Sequence, residues 1–103
     1  MIDPKVIEEL KAKHGEIYRL EHLGHEVVVR LPSSPEWLRF KEMQADEGRR
    51  SKAPAQLVRD TCVFPDAQSL EVMLNKYPGL ADTFAGEVAE VAGLSKKAQR
   101  EKL

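Results

Sequence analysis

The sequence predicts an α+β fold, one β-hairpin packed with about five short helices in a mostly helical single domain. Three observations carry that prediction. Residues 16–31 are rich in β-branched and aromatic side chains on both sides of His22-Leu23-Gly24-His25. Asp3-Pro4, Ser33-Ser34-Pro35-Glu36 and Asp66 have the chemistry of helix starts. Leu80, Phe84, Val88 and Val91 recur at helical spacing between a Tyr77-Pro78-Gly79 break and an Ala92-Gly93 stop.

The first helix begins where the Asp3 carboxylate can accept from free backbone amides and Pro4 occupies the first turn, which needs no amide of its own. It runs to about His14. Val6, Ile7 and Leu10 share one face, and Gly15 suits a left-handed helix end. Ile17, Tyr18 and Leu20, then Val27, Val28, Val29 and Leu31, form the two arms of the hairpin. Its loop lacks the Asn-Gly pair of the tightest turns, which predicts a connection of three to five residues around Gly24.

Leu31-Pro32 ends the second strand, and the next helix opens with Ser33 or Ser34 as cap and Glu36 placed to complete a capping box with Ser33. Trp37, Phe40 and Met43, with Leu38 beside them, make its apolar side. Residues 46–52 carry no apolar spacing and include Gly48, so they read as a flexible loop or frayed end.

A third helix starts near Pro54, bears Leu57, Val58, Thr61 and Cys62 on one face, and stops before Pro65. A fourth is capped by Asp66 and aligns Leu70, Met73, Leu74 and Tyr77. In the fifth, about residues 79–92, Ala81, Ala85, Ala89 and Ala92 flank the apolar stripe and keep the helix surface thin, so that a neighbour can approach closely. Residues 1–94 form the predicted domain. Residues 95–103, with Lys96, Lys97, Arg100 and Lys102, read as a disordered basic tail.

At 103 residues and 42% apolar content, one modest core is affordable and a cleft between two lobes is not. Sixteen basic residues against seventeen acidic ones create no global field toward a polyanion. Neither a signal-peptide core nor an apolar run of membrane-spanning length is present, and the lone Cys62 has no disulfide partner, which together predict a reducing cytosol.

His22 and His25 have the spacing of two metal ligands, but they flank a turn and no third ligand follows at a fitting distance; the reading is a solvated turn with no metal. Cys62 reads as a small buried hydrophobe rather than a nucleophile. Isolated glycines form no phosphate loop, so neither cofactor nor catalytic residue is predicted. Arg49, Arg50 and Lys52 could touch phosphates but lack interleaved aromatic residues, and a solvated loop is the simpler reading.

The order of these elements, with Arg30-Leu31-Pro32, Glu36-Trp37-Leu38-Arg39-Phe40, Cys62-Val63-Phe64-Pro65, Tyr77-Pro78-Gly79-Leu80 and the Ala92-Gly93 stop, resembles the tail assembly chaperones of long-tailed bacteriophages and prophages. The resemblance spans about residues 16–93. It implies a non-catalytic protein of the host bacterial cytoplasm that binds the tape-measure protein and assists assembly of tail-tube subunits, acting through protein contacts, with no membrane or nucleic-acid partner and with room for a homo-oligomer. The expected contact residues are Leu74, Tyr77, Leu80, Phe84 and Val88, although the same residues suit the chain's own core. Two alternatives stand beside it, a structural tail component (tube or completion subunit) pairing through the hairpin edge, and a small nucleic-acid-binding regulator using the residue 49–52 loop.

Overall fold

The computed structural model describes residues 2–94 and 98–103. Among these, five α-helices and a three-stranded antiparallel sheet form the α+β fold expected from the sequence. The chain runs α1 (Pro4–His14), β1 (Ile17–His22), β2 (His25–Arg30), α2 (Ser34–Ala45), a short 3-10 turn (Arg50–Lys52), α3 (Ala53–Thr61), β3 (Cys62–Phe64), α4 (Ala67–Lys76) and α5 (Gly79–Val91).

The helix starts follow the cap chemistry of the sequence. Asp3 accepts from the Lys5 amide at 2.9 Å, and Asp66 from the Ser69 amide at 2.7 Å. Ser33 and Glu36 close a reciprocal capping box at the head of α2: the Glu36 amide donates to Ser33 Oγ at 3.3 Å, and the Ser33 amide donates to Glu36 Oε1 at 2.9 Å. α5 ends in a Schellman turn, in which the Leu94 amide donates to the Ala89 carbonyl at 2.9 Å while Gly93 adopts φ +104°.

Local expectations are corrected at the hairpin loop and at Cys62. The hairpin loop has two residues rather than three to five, because His22 pairs directly with His25 and both Leu23 (φ +52°) and Gly24 (φ +81°) take the left-handed conformation of a tight turn. Cys62 is not on a helix; it opens β3, which pairs with β2 through Val28↔Phe64 and Val29↔Cys62 across a bulge. The sheet order β1-β2-β3 makes β2 central, and Val27, Val28 and Val29 are buried in succession, as a strand covered on both faces requires.

The core lies between this sheet and the helices. Leu20, Val27 and Val29 meet Phe40 and Met43 of α2, Leu57 and Val58 of α3, Leu70 and Leu74 of α4, and Leu80, Phe84 and Val88 of α5. Ala81, Ala85 and Ala89 are buried as well, on a helix whose closest helical neighbour is the chain's own α3. The polar stretch before α3 is tied down rather than frayed: the Gly48 amide and Arg49 Nε donate to the Asp46 carboxylate at 2.9 and 3.0 Å, and Arg50 Nε donates to the Gln44 carbonyl at 2.9 Å. Residues 98–103 are exposed and lack regular secondary structure; Ser95, Lys96 and Lys97, where the predicted tail begins, lie outside the described residues.

Candidate partner-binding surface

A polar knot joins three elements. Arg30, at the end of β2, donates from both terminal guanidinium nitrogens to the two carboxylate oxygens of Glu36 at 2.8 Å each, and reaches the Asp60 carbonyl at the end of α3 at 2.7 Å. Asp60 accepts in turn from Gln56 Nε2 at 2.9 Å and from Arg39 of α2. The Arg30 guanidinium holds the Glu36 carboxyl down at about 2, with the capping amide of Ser33 adding to the effect against the opposing influence of burial. Glu36 therefore fixes the head of α2 to the sheet and caps it at the same time.

Beside that mount lies an open groove of about 510 Å³ where the start of α2 meets the end of α5, lined by Pro32, Ser33, Ser34, Trp37, Leu38, Lys41 and Ala92. Trp37 is half-buried, with its ring tilted against Phe40 at 5.3 Å between centroids, so its position is set from below. Leu38 turns outward and is 58% exposed. One residue advances a helix by about 100°, which is how adjacent apolar residues divide between core and surface. The groove thus offers aliphatic and indole surface, with Lys41 among its lining residues.

The five residues expected to make partner contacts are placed differently. Leu80, Phe84 and Val88 are buried, because α5 turns its apolar stripe toward α3 and the sheet, and Leu74 is buried on α4 in the same core. Tyr77, at the joint between α4 and α5, is 42% exposed. Its ring centroid lies 4.5 Å from that of His25, and Lys76 Nζ lies 5.5 Å from it, so Tyr77 also braces the hairpin tip. Pro32, Leu38 and Ala92 were not among the expected contact residues; an apolar side chain at a helix position off the core stripe is the signal that marks Leu38.

The remaining candidates also have definite surroundings. His25 packs against Tyr77 with the two rings tilted by 46°, and His22 is exposed beside the turn. Cys62 is half-buried and donates from Sγ to the Phe64 carbonyl at 3.2 Å; burial pushes its thiol up to about 11, so it is protonated at neutral pH. Among the described residues, no group of three or more His, Cys, Asp or Glu side chains is placed to hold a metal ion, and no helix is long and apolar enough to cross a membrane.

The profile of a family described as domain of unknown function (DUF6848) matches residues 10–101. The chain belongs to this family. The DUF6848 match takes in both the polar knot and the groove. A solved structure of an uncharacterised protein, rbstp2171 from Bacillus stearothermophilus, is similar at 23% identity with a TM-score of 0.77, over 92% of this chain and 99% of that one. That likeness establishes a shared fold. No curated protein matches the chain.

Proposed function

We propose that this protein is a non-catalytic phage or prophage tail assembly chaperone that binds the tape-measure protein in the host bacterial cytoplasm and assists tail-tube assembly around it. The observation that carries the reading is the open groove between α2 and α5, lined by Trp37, Leu38, Pro32 and Ala92, with Leu38 exposed and the head of α2 beside it tied to the sheet by the Arg30–Glu36 pair. An amphipathic helix lays its apolar face into a groove of this kind, and exposed aliphatic and aromatic surface on a rigid frame is what such a contact requires. The order of motifs from the hairpin to the Ala92-Gly93 stop, which resembles the tail assembly chaperones, supplies the class of partner.

Trp37 is the single tryptophan and lies in the groove, so its fluorescence reports occupancy directly. Helical fragments of the tape-measure protein from the same genome are titrated onto the purified chain. The expected result is saturable binding with a shift in Trp37 emission, weakened by about tenfold or more in Leu38→Glu while its unfolding midpoint is kept. Tape-measure fragments that neither bind nor remain soluble longer in the presence of this protein would refute the reading.

A further inference from the structure

The outward face of α5 is built against its own helix. Asp82, Gly86, Glu87 and Glu90 are exposed along it, and none of the three carboxylates enters an ion pair among the described residues. Glu87 and Glu90 stand three residues apart, near the helix end where the dipole disfavours negative charge. Gly86 weakens the middle of the helix, yet a Cβ built there meets nothing within 4 Å, so no contact inside the molecule calls for glycine. These residues line an open groove of about 680 Å³ together with Thr83, Ala89 and Leu94. Asp82 suits the first turn, but Gly86 and the Glu87–Glu90 pair oppose helix stability on the same strip, the pattern of a surface shaped for contact.

A matching charge is encoded in the same chain. Residues 95–103 carry Lys96, Lys97, Arg100 and Lys102 against one carboxylate, Glu101. α5 ends in the Schellman turn at Gly93, and residues 98–103 are exposed throughout. Nine extended residues reach about 30 Å, more than the roughly 14 Å of helix axis between Asp82 and Val91.

We propose that the acidic groove on α5 receives the basic segment 95–103 of a second copy, giving a reciprocal, salt-sensitive homodimer. Residues 98–103 stand exposed in their own molecule, so a neighbouring copy is the partner that brings complementary charge to each groove. Gly86 lets the incoming backbone approach, and Glu87 and Glu90 exchange mutual repulsion for attraction. This goes beyond the proposed chaperone activity and uses neither Trp37 nor Leu38.

Sedimentation of the full chain at about 50 mM and about 500 mM salt tests it, together with two charge-reversed variants. One is Glu87→Lys with Glu90→Lys; the other is Arg100→Glu with Lys102→Glu. The unaltered chain is expected to dimerise at low salt, with a dissociation constant about tenfold higher at high salt. Each variant alone is expected to be monomeric, and an equimolar mixture of the two to dimerise again, because each basic partner then meets an acidic one. Circular dichroism confirms that the variants fold; should either fail, the salt dependence of the unaltered chain decides. A monomer at low salt and high protein concentration overturns the proposal, as does a dimer indifferent to salt and to both reversals.

Discussion

Replacing Glu36 with glutamine removes one negative charge and keeps the shape of the side chain. In the native protein both carboxylate oxygens accept from Arg30 at 2.8 Å, and one also accepts from the Ser33 amide. The amide oxygen of glutamine can retain the capping contact, so the loss falls on the charged pair. The displacement of the Glu36 carboxyl from 4.5 to about 2 would correspond to about 3 kcal/mol if the site were dry. Both side chains retain partial solvent access, and screening reduces the expected loss to about 1–2 kcal/mol. The folded value lies below the unfolded one, so this stability is fully present above pH 4.5 and is lost as the pH falls through about 2. Urea unfolding followed by Trp37 fluorescence should therefore show Glu36→Gln destabilised by about 1–2 kcal/mol at pH 7, with most of that difference gone at pH 2. A difference that stays constant from pH 7 to pH 2 would refute the assignment of the stabilisation to the ionised pair.

Three further outcomes follow from burial and backbone conformation. Phe84→Ala should cost about 3–5 kcal/mol in chemical denaturation because the ring is enclosed, whereas Tyr77→Ala should cost about 1 kcal/mol, the scale of its contact with His25. Leu23→Asn should raise stability by about 0.5–1 kcal/mol, since asparagine tolerates φ +52° and the leucine, 81% exposed, contributes little burial; an unchanged or lower unfolding midpoint would count against the strained turn. Cys62 alkylation by iodoacetamide at pH 8 should be slower than that of a free cysteine by roughly a hundredfold and should become fast in denaturant, because a thiol held up at about 11 supplies little thiolate.

The features legible in the sequence are those determined by neighbouring residues. Asp3, Ser33 with Glu36, and Asp66 each bind amides within three positions, so cap chemistry locates three helix starts without any knowledge of the fold. The strand Cys62–Phe64 is too short for alternation to register, and it forms because β2 offers an edge more than thirty residues earlier. The unbroken Val27-Val28-Val29 run did carry a sign of it, for a strand apolar on consecutive residues must be covered on both faces. Arg30, Glu36 and Asp60 are brought together only by the tertiary fold, so their charges read locally as ordinary surface residues. The surface is less legible than the core for the same reason: Leu74, Leu80, Phe84 and Val88 announce burial by their spacing, but spacing alone does not say whether a partner or the chain itself covers them.

α5 separates these two roles by face. Its inward residues, from Leu80 to Val88, hold α3 and the sheet, and substitutions there act through folding stability. Its outward residues, Asp82, Gly86, Glu87 and Glu90, contribute no burial to the core, and a methyl group at Gly86 would enter open space. Gly86→Ala should thus strengthen the isolated chain by about 0.5–1 kcal/mol through helix propensity, while obstructing the close approach that a docked segment requires. Stability and association would then move in opposite directions for one substitution, a result that a merely solvated helix face cannot produce. If Gly86→Ala raises the unfolding midpoint and leaves sedimentation at low salt unchanged, the outward face of α5 is only a soluble surface, and its unpaired carboxylates have no partner in a second copy.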